Sequence, residues 1–120
     1  MRYMILIGHD EKGGEKLSAE EHQKLFAAYQ KYEGDLRRAG VLLGGDPLQP
    51  TTRASRISLE GGKRKVLDGP FTESKEIIGG YVLIEVKSAE EALEWASRCP
   101  AAQLDGWSYA ELREVMEIPR

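Results

Sequence analysis

A chain of 120 residues has room for one hydrophobic core and no second domain. With 41% hydrophobic and 31% charged residues it is too apolar to stay disordered, and a net charge of −3 argues against the basic stripe with which proteins grip phosphate backbones. One cysteine, Cys99, excludes an internal disulfide; with no apolar run near the ~20 residues of a membrane span and no signal-peptide pattern, no membrane contact is expected and the cytoplasm is the expected compartment.

Arg2 to Gly8 is a short, nearly continuous apolar run ended by glycine, which suits a central strand covered on both faces. His9 to Lys16, with Gly13-Gly14 inside it, reads as a loop. Ser18 and Glu21 fit a capping box, so a helix is predicted to begin there. Leu25, Tyr29, Tyr32 and Leu36 then draw one apolar stripe, widened by Phe26 and stopped at Gly40.

Val41 to Leu43 predicts a brief extended piece before Gly44 to Pro50, whose two glycines and two prolines predict a long surface loop. Arg53 to Glu60 and Lys63 to Asp68 flank Gly61-Gly62, the pattern of a β-hairpin with one wet face. Its basic run Lys63-Arg64-Lys65, like Arg37-Arg38, is read as a solvated face rather than an anion site.

Ile77 to Val86 is the most apolar run and predicts a second central strand, with Gly79-Gly80 marking a bulge or a close approach of backbone. Ser88 and Glu91 form a second capping box, followed by Ala89, Leu93 and Ala96 with Ala92 and Trp95 at their flanks, until Pro100 blocks continuation. Ala110, Leu112, Met116 and Ile118 share the period of a strand, although Glu114 interrupts that face and a helix over Tyr109 to Glu117 also fits. The strand is preferred because it completes the order β-α-β-β-β-α-β, an α+β, ferredoxin-like core with an added hairpin strand.

Two helices on one face of such a sheet leave the other face of its apolar strands uncovered. A second copy of the chain is the simplest cover, so a homodimer is expected.

Little in the sequence carries recognisable chemistry. His9 beside Asp10 and Glu11 could act as a base or metal ligand, but a solvated loop histidine is the simpler reading, and His22 reads as a packed or half-exposed structural residue. No His/Cys/Asp/Glu set has zinc-ligand spacing, no G-x-S-x-G elbow occurs, and Gly44-Gly45-Asp46-Pro47 lacks the lysine and following helix of a phosphate loop. Cys99 before Pro100 reads as a small packed residue. Neither a metal nor a cofactor is expected, and no catalytic residue is assigned.

The most informative stretch is Asp68 to Glu76. Asp-Gly-Pro favours a sharp turn, Phe71 supplies an apolar plug, and Asp68, Glu73, Lys75 and Glu76 could line a polar pocket in which Lys75 tunes the carboxylates. A rigid turn with solvated charges is the structural alternative.

These residues also carry a resemblance. Asp68-Gly69-Pro70-Phe71, the following Thr72 to Glu76, Gly79-Gly80-Tyr81, the Tyr3 to Ile7 strand, the helix exit Ala39 to Gly45, and Glu91 to Ala96 before Cys99-Pro100 resemble the YCII-related domain family, in the branch named for its Asp-Gly-Pro-Phe signature. The resemblance covers nearly the whole chain. It implies a dimeric α/β-barrel arrangement in which two ferredoxin-like sheets face one another across a cleft. The family has no settled activity; a histidine and an aspartate have suggested catalysis, and some members are linked to sigma factors.

Asp68 matches the signature aspartate, whereas the helix position of the relatives' histidine holds Tyr32. Gln103 to Tyr109 is longer than usual for the family. The expectation is therefore a homodimer that binds a small molecule near Asp68, Gly69, Pro70, Phe71, Glu73, Lys75, Tyr81 and Tyr32. Docking on a sigma factor or another transcription-linked partner is the alternative.

Overall fold

The computed structural model describes residues 1–10, 16–71, 76–104 and 106–120. β1 (Arg2–His9) leads to α1 (Ala19–Arg38) and β2 (Leu42–Pro47). A hairpin of β3 (Ser55–Glu60) and β4 (Lys63–Asp68) follows, and then β5 (Ile77–Glu85), α2 (Ala89–Arg98) and β6 (Ser108–Glu114). Short 3-10 turns at Thr51–Arg53 and Pro100–Gln103 precede β3 and β6.

Four strands form one antiparallel sheet in the order β2-β5-β1-β6, and β3 and β4 form a two-stranded sheet of their own. With the hairpin set aside, the elements run β-α-β-β-α-β and the first strand lies between the third and fourth. This is the ferredoxin-like arrangement.

The hairpin therefore adds no strand to the main sheet. The strand that closes this sheet is β2, which runs through Gly44 to Pro47, where a loop was expected. An edge strand needs main-chain partners on one side only, so glycine and a terminal proline are tolerated. Gly45 also has a steric role, since a Cβ there would lie 2.6 Å from the Tyr81 carbonyl oxygen of β5.

Strand alternation fixes the core. Tyr3 and Ile5 of β1 stand opposite Ile84 and Val82 of β5, and Tyr3, Ile5 and Ile84 are buried with Tyr32 and Leu36 of α1. The intervening residues Met4, Leu6, Tyr81 and Leu83 lie on the other face and are half-buried. On that face the Tyr109 ring covers Gly8, at which a Cβ would lie 2.2 Å from the ring.

Both helices start as their sequences dictate. The Glu21 amide donates to Ser18 Oγ and the Ser18 amide to Glu21 Oε1, each at 3.1 Å. At α2 the Glu91 amide donates to Ser88 Oγ, but the Glu91 carboxylate accepts from the amide of Lys87, one residue earlier than a capping box requires. The buried face of α2 is Ala92, Trp95 and Ala96, while Leu93 is exposed. The stripe is thus rotated from the one read through Ala89 and Leu93, because burying an indole removes more apolar area from water than burying a leucine. β6 is a strand as preferred; it ends at Glu114, and Met116 and Ile118 lie exposed beyond it. Among the described residues no helix is long and apolar enough to cross a membrane.

Candidate functional site

α1 and the sheet do not close completely. A cavity of about 480 Å³ opens between them, walled by apolar side chains that include Ile7, Leu25, Tyr29, Leu36, Val82, Leu104 and Trp107. Its polar border comes from separate elements: His9 at the end of β1, His22 in α1, Asp46 in β2 and Ser108 at the start of β6. Apolar walls with a few convergent polar groups, at this volume, are the usual make-up of a small-molecule site.

His9 is the most constrained of these groups. β5 bulges against β1 beside Gly8, and the His9 ring lies over Gly79, at which a Cβ would be 2.3 Å from Nε2. Trp107 meets the ring edge to face, with centroids 6.0 Å apart and planes at 87°. His9 Nδ1 is buried and has no hydrogen-bond partner among the described residues. A buried polar atom left in this state normally finds a water or a ligand.

Two tyrosines of α1 meet the floor of the cavity. The Tyr32 hydroxyl donates to the Trp95 carbonyl at 2.6 Å, and that of Tyr29 lies near the Cys99 thiol. Burial, reinforced by Cys99, pushes both phenols far above their ordinary range, and burial likewise pushes the Cys99 thiol up. Neither tyrosine is a proton donor of practical strength near neutrality.

Of the candidate ligand residues read from the sequence, Tyr32 borders this cavity, as does Tyr81, although strand alternation puts the Tyr81 side chain on the opposite face of the sheet with Met4 and Leu6. Asp68, Gly69, Pro70 and Phe71 lie elsewhere, at the root of the hairpin. Asp68 ends β4 and accepts a hydrogen bond from Ser55 Oγ at 3.0 Å. Gly69 donates its amide to the Ala54 carbonyl at 2.9 Å and passes so close to Thr51 that a Cβ would be 1.9 Å from the Thr51 oxygen. Phe71 lies beneath the Arg56 guanidinium, 3.8 Å from the ring centroid. The turn therefore clamps the segment that opens the hairpin. Glu73 and Lys75 lie outside the described residues.

A second, smaller hollow of about 240 Å³ is bordered by Asp10, Glu76, Trp107, Ser108 and Tyr109. Burial, together with the nearby Glu76 carboxylate, raises the Tyr109 phenol's pKa. Among the described residues no group of three or more His, Cys, Asp or Glu is placed to hold a metal ion.

The YCII-related domain matches residues 1–118, nearly the entire chain. The chain belongs to the YCII-related domain family. An uncharacterized protein of Rhizobium meliloti is 33% identical over 109 residues, which cover 91% of this chain and 88% of that relative. The similarity thus extends across the fold, from β1 through the cavity walls to β6, and is not confined to the turn at Asp68.

His9, His22, Asp46 and Trp107 escaped the sequence reading as a group. The one local signal was Gly79-Gly80, read as a bulge or a close approach of backbone; β5 does bulge there and a Cβ on Gly80 would lie 3.1 Å from the Asp46 carbonyl oxygen, while the group over Gly79 is the His9 side chain.

Proposed function

We propose that this member of the YCII-related family is a homodimeric small-molecule-binding protein whose ligand occupies the cavity between α1 and the sheet. The observation that carries the reading is His9, whose ring borders a largely apolar cavity of ligand size and whose buried Nδ1 has no hydrogen-bond partner among the described residues. The ligand is a compact, largely apolar molecule with one hydrogen-bonding group for His9; His22 and Asp46 stand on the border to meet a second polar group. The clamp formed by Asp68 to Phe71 supports assignment to the Asp-Gly-Pro-Phe branch of the family, with a structural part for that turn.

Self-association is supported by the open face of the sheet, where the cross-strand pairs Met4–Leu83 and Leu6–Tyr81 lie on the side away from both described helices, whose buried residues pack with Tyr3, Ile5 and Ile84. The free, buried thiol of Cys99 suits a reducing compartment such as the cytoplasm.

Ligand-observed NMR with a fragment library tests the reading. Binders are expected that shift the His9 imidazole resonances and bind at least tenfold more weakly to His9→Leu. A library without binders, or binders indifferent to His9, would sink it. Sedimentation at micromolar concentration is expected to return the mass of two chains.

A further inference from the structure

We infer that the compound held in the cavity is an uncharged aromatic; the inference rests on the site proposed above and names the chemical class that it takes. The apolar stripe of α1 is buried in the core at Tyr32 and Leu36. Toward the start of the helix the same stripe continues as Leu25, Phe26 and Tyr29, and there it borders the cavity instead of closing on the sheet. Phe26 is left 66% exposed. A ring this open on the wall of an apolar cavity gains cover only when an apolar body fills the space beside it.

Rings reach this cavity from separate elements. Phe26 and Tyr29 come from α1, Trp107 from the segment before β6 and His9 from the end of β1. Trp107 meets His9 edge to face, so the polar group of the site is itself set against an aromatic wall. Edge-to-face and offset ring contacts add about two- to tenfold in affinity per pair beyond the area they bury, whereas an aliphatic body of the same size collects the area alone. A planar ring with a hydroxyl or carbonyl group suits both parts of the site: His9 takes the polar group, and Phe26, Tyr29 and Trp107 take the ring.

Charge narrows the class. Among the described residues no lysine or arginine borders the cavity, whereas Glu33 and Asp46 do. Glu33 is paired outside with Arg37 at 2.6 Å. A carboxylate or phosphate would give up its water here without a permanent cation to replace it, which is costly between apolar walls. An uncharged compound carries no such penalty.

The test sets three probes against the whole chain: 2-naphthol, its saturated counterpart decahydro-2-naphthol, and 2-naphthoate. Each is titrated into 15N-labelled protein and followed by the amide and His9 imidazole shifts. Wild type is expected to bind 2-naphthol about fivefold or more tightly than decahydro-2-naphthol, and about tenfold or more tightly than 2-naphthoate. Phe26→Leu and Trp107→Leu, with circular dichroism as the check on folding, are each expected to lower the first ratio by about twofold or more. That response separates ring contact from the stronger hydrogen bonding of a naphthol hydroxyl. Phe26→Leu changes an exposed side chain and keeps the readout if Trp107→Leu does not fold. Equal binding of 2-naphthol and decahydro-2-naphthol, or a ratio unchanged in the folded variants, overturns the aromatic class and leaves the cavity reading standing. Tight binding of 2-naphthoate overturns the uncharged class in the same way. Cavity resonances that none of the three probes moves overturn both the inference and the reading beneath it.

Discussion

The Tyr32 hydroxyl reaches across the interior to the Trp95 carbonyl, binding α1 to α2 beneath the cavity. The carbonyl belongs to the last full turn of a short helix, and the phenol is buried, so water has little access to replace either partner.

Tyr32→Phe is accordingly expected to lower stability by about 1–3 kcal/mol, the usual cost of leaving a buried polar group unpaired. Ligand affinity should stay within about threefold. Urea denaturation read alongside ligand titration separates the two; unchanged stability with lost binding would show that Tyr32 serves the ligand instead.

Gly79→Ala should act on the site without touching the cavity's other walls. The new methyl collides with the His9 ring, which must swing away from Trp107. A loss of affinity of about tenfold, or about 1.4 kcal/mol, is expected with the fold intact. His9 chemical shifts that remain at their wild-type values would contradict it.

Gly69→Ala meets main chain rather than a movable side chain, and the Thr51 oxygen cannot retreat without opening the 3-10 turn. Destabilisation above about 2 kcal/mol is expected, with faster amide exchange across β3 and β4. Gly61→Ala, in the hairpin turn at φ +57° with open space around it, should cost only about 1–2 kcal/mol of backbone strain.

Asp35 predicts an acid limb. Its hydrogen bond to Arg38, with support from Lys31, holds its carboxyl below the usual range, and Arg98 of α2 reaches it at 3.1 Å. A depressed folded pKa means that the unfolded chain binds the proton first. The pair's contribution is therefore present above the ordinary Asp pKa, near 3.9, and fades as pH falls through the folded value. Denaturant midpoints taken from pH 6 down to 2 should fall less steeply for Asp35→Asn than for wild type; parallel curves would contradict it.

Sequence made the covalently local features legible. Ser18 with Glu21 announced α1, Gly61-Gly62 announced the hairpin, and the apolar runs of β1 and β5 announced the centre of the sheet. Beyond the extended start expected at Leu42 and Leu43, β2 was hidden because its Gly-Gly-Asp-Pro composition is that of a loop, and only the edge of β5 makes it a strand. The cavity was hidden for a related reason: His9, His22 and Asp46 belong to different elements, and no local pattern announces that the chain will bring them together. The role of Asp68 to Phe71 likewise depended on Thr51 and Ala54, which are distant in sequence and which the hairpin brings beside it.

The cavity shares Tyr32 and Leu36 with the hydrophobic core. Occupancy and folding are then linked by mass action: a ligand at a hundred times its dissociation constant adds about 2.7 kcal/mol to the free energy of unfolding. Under the proposed function the empty chain is the more fragile species, and proteolysis removes it first. The amount of this protein in a cell would then follow the supply of the compound it binds.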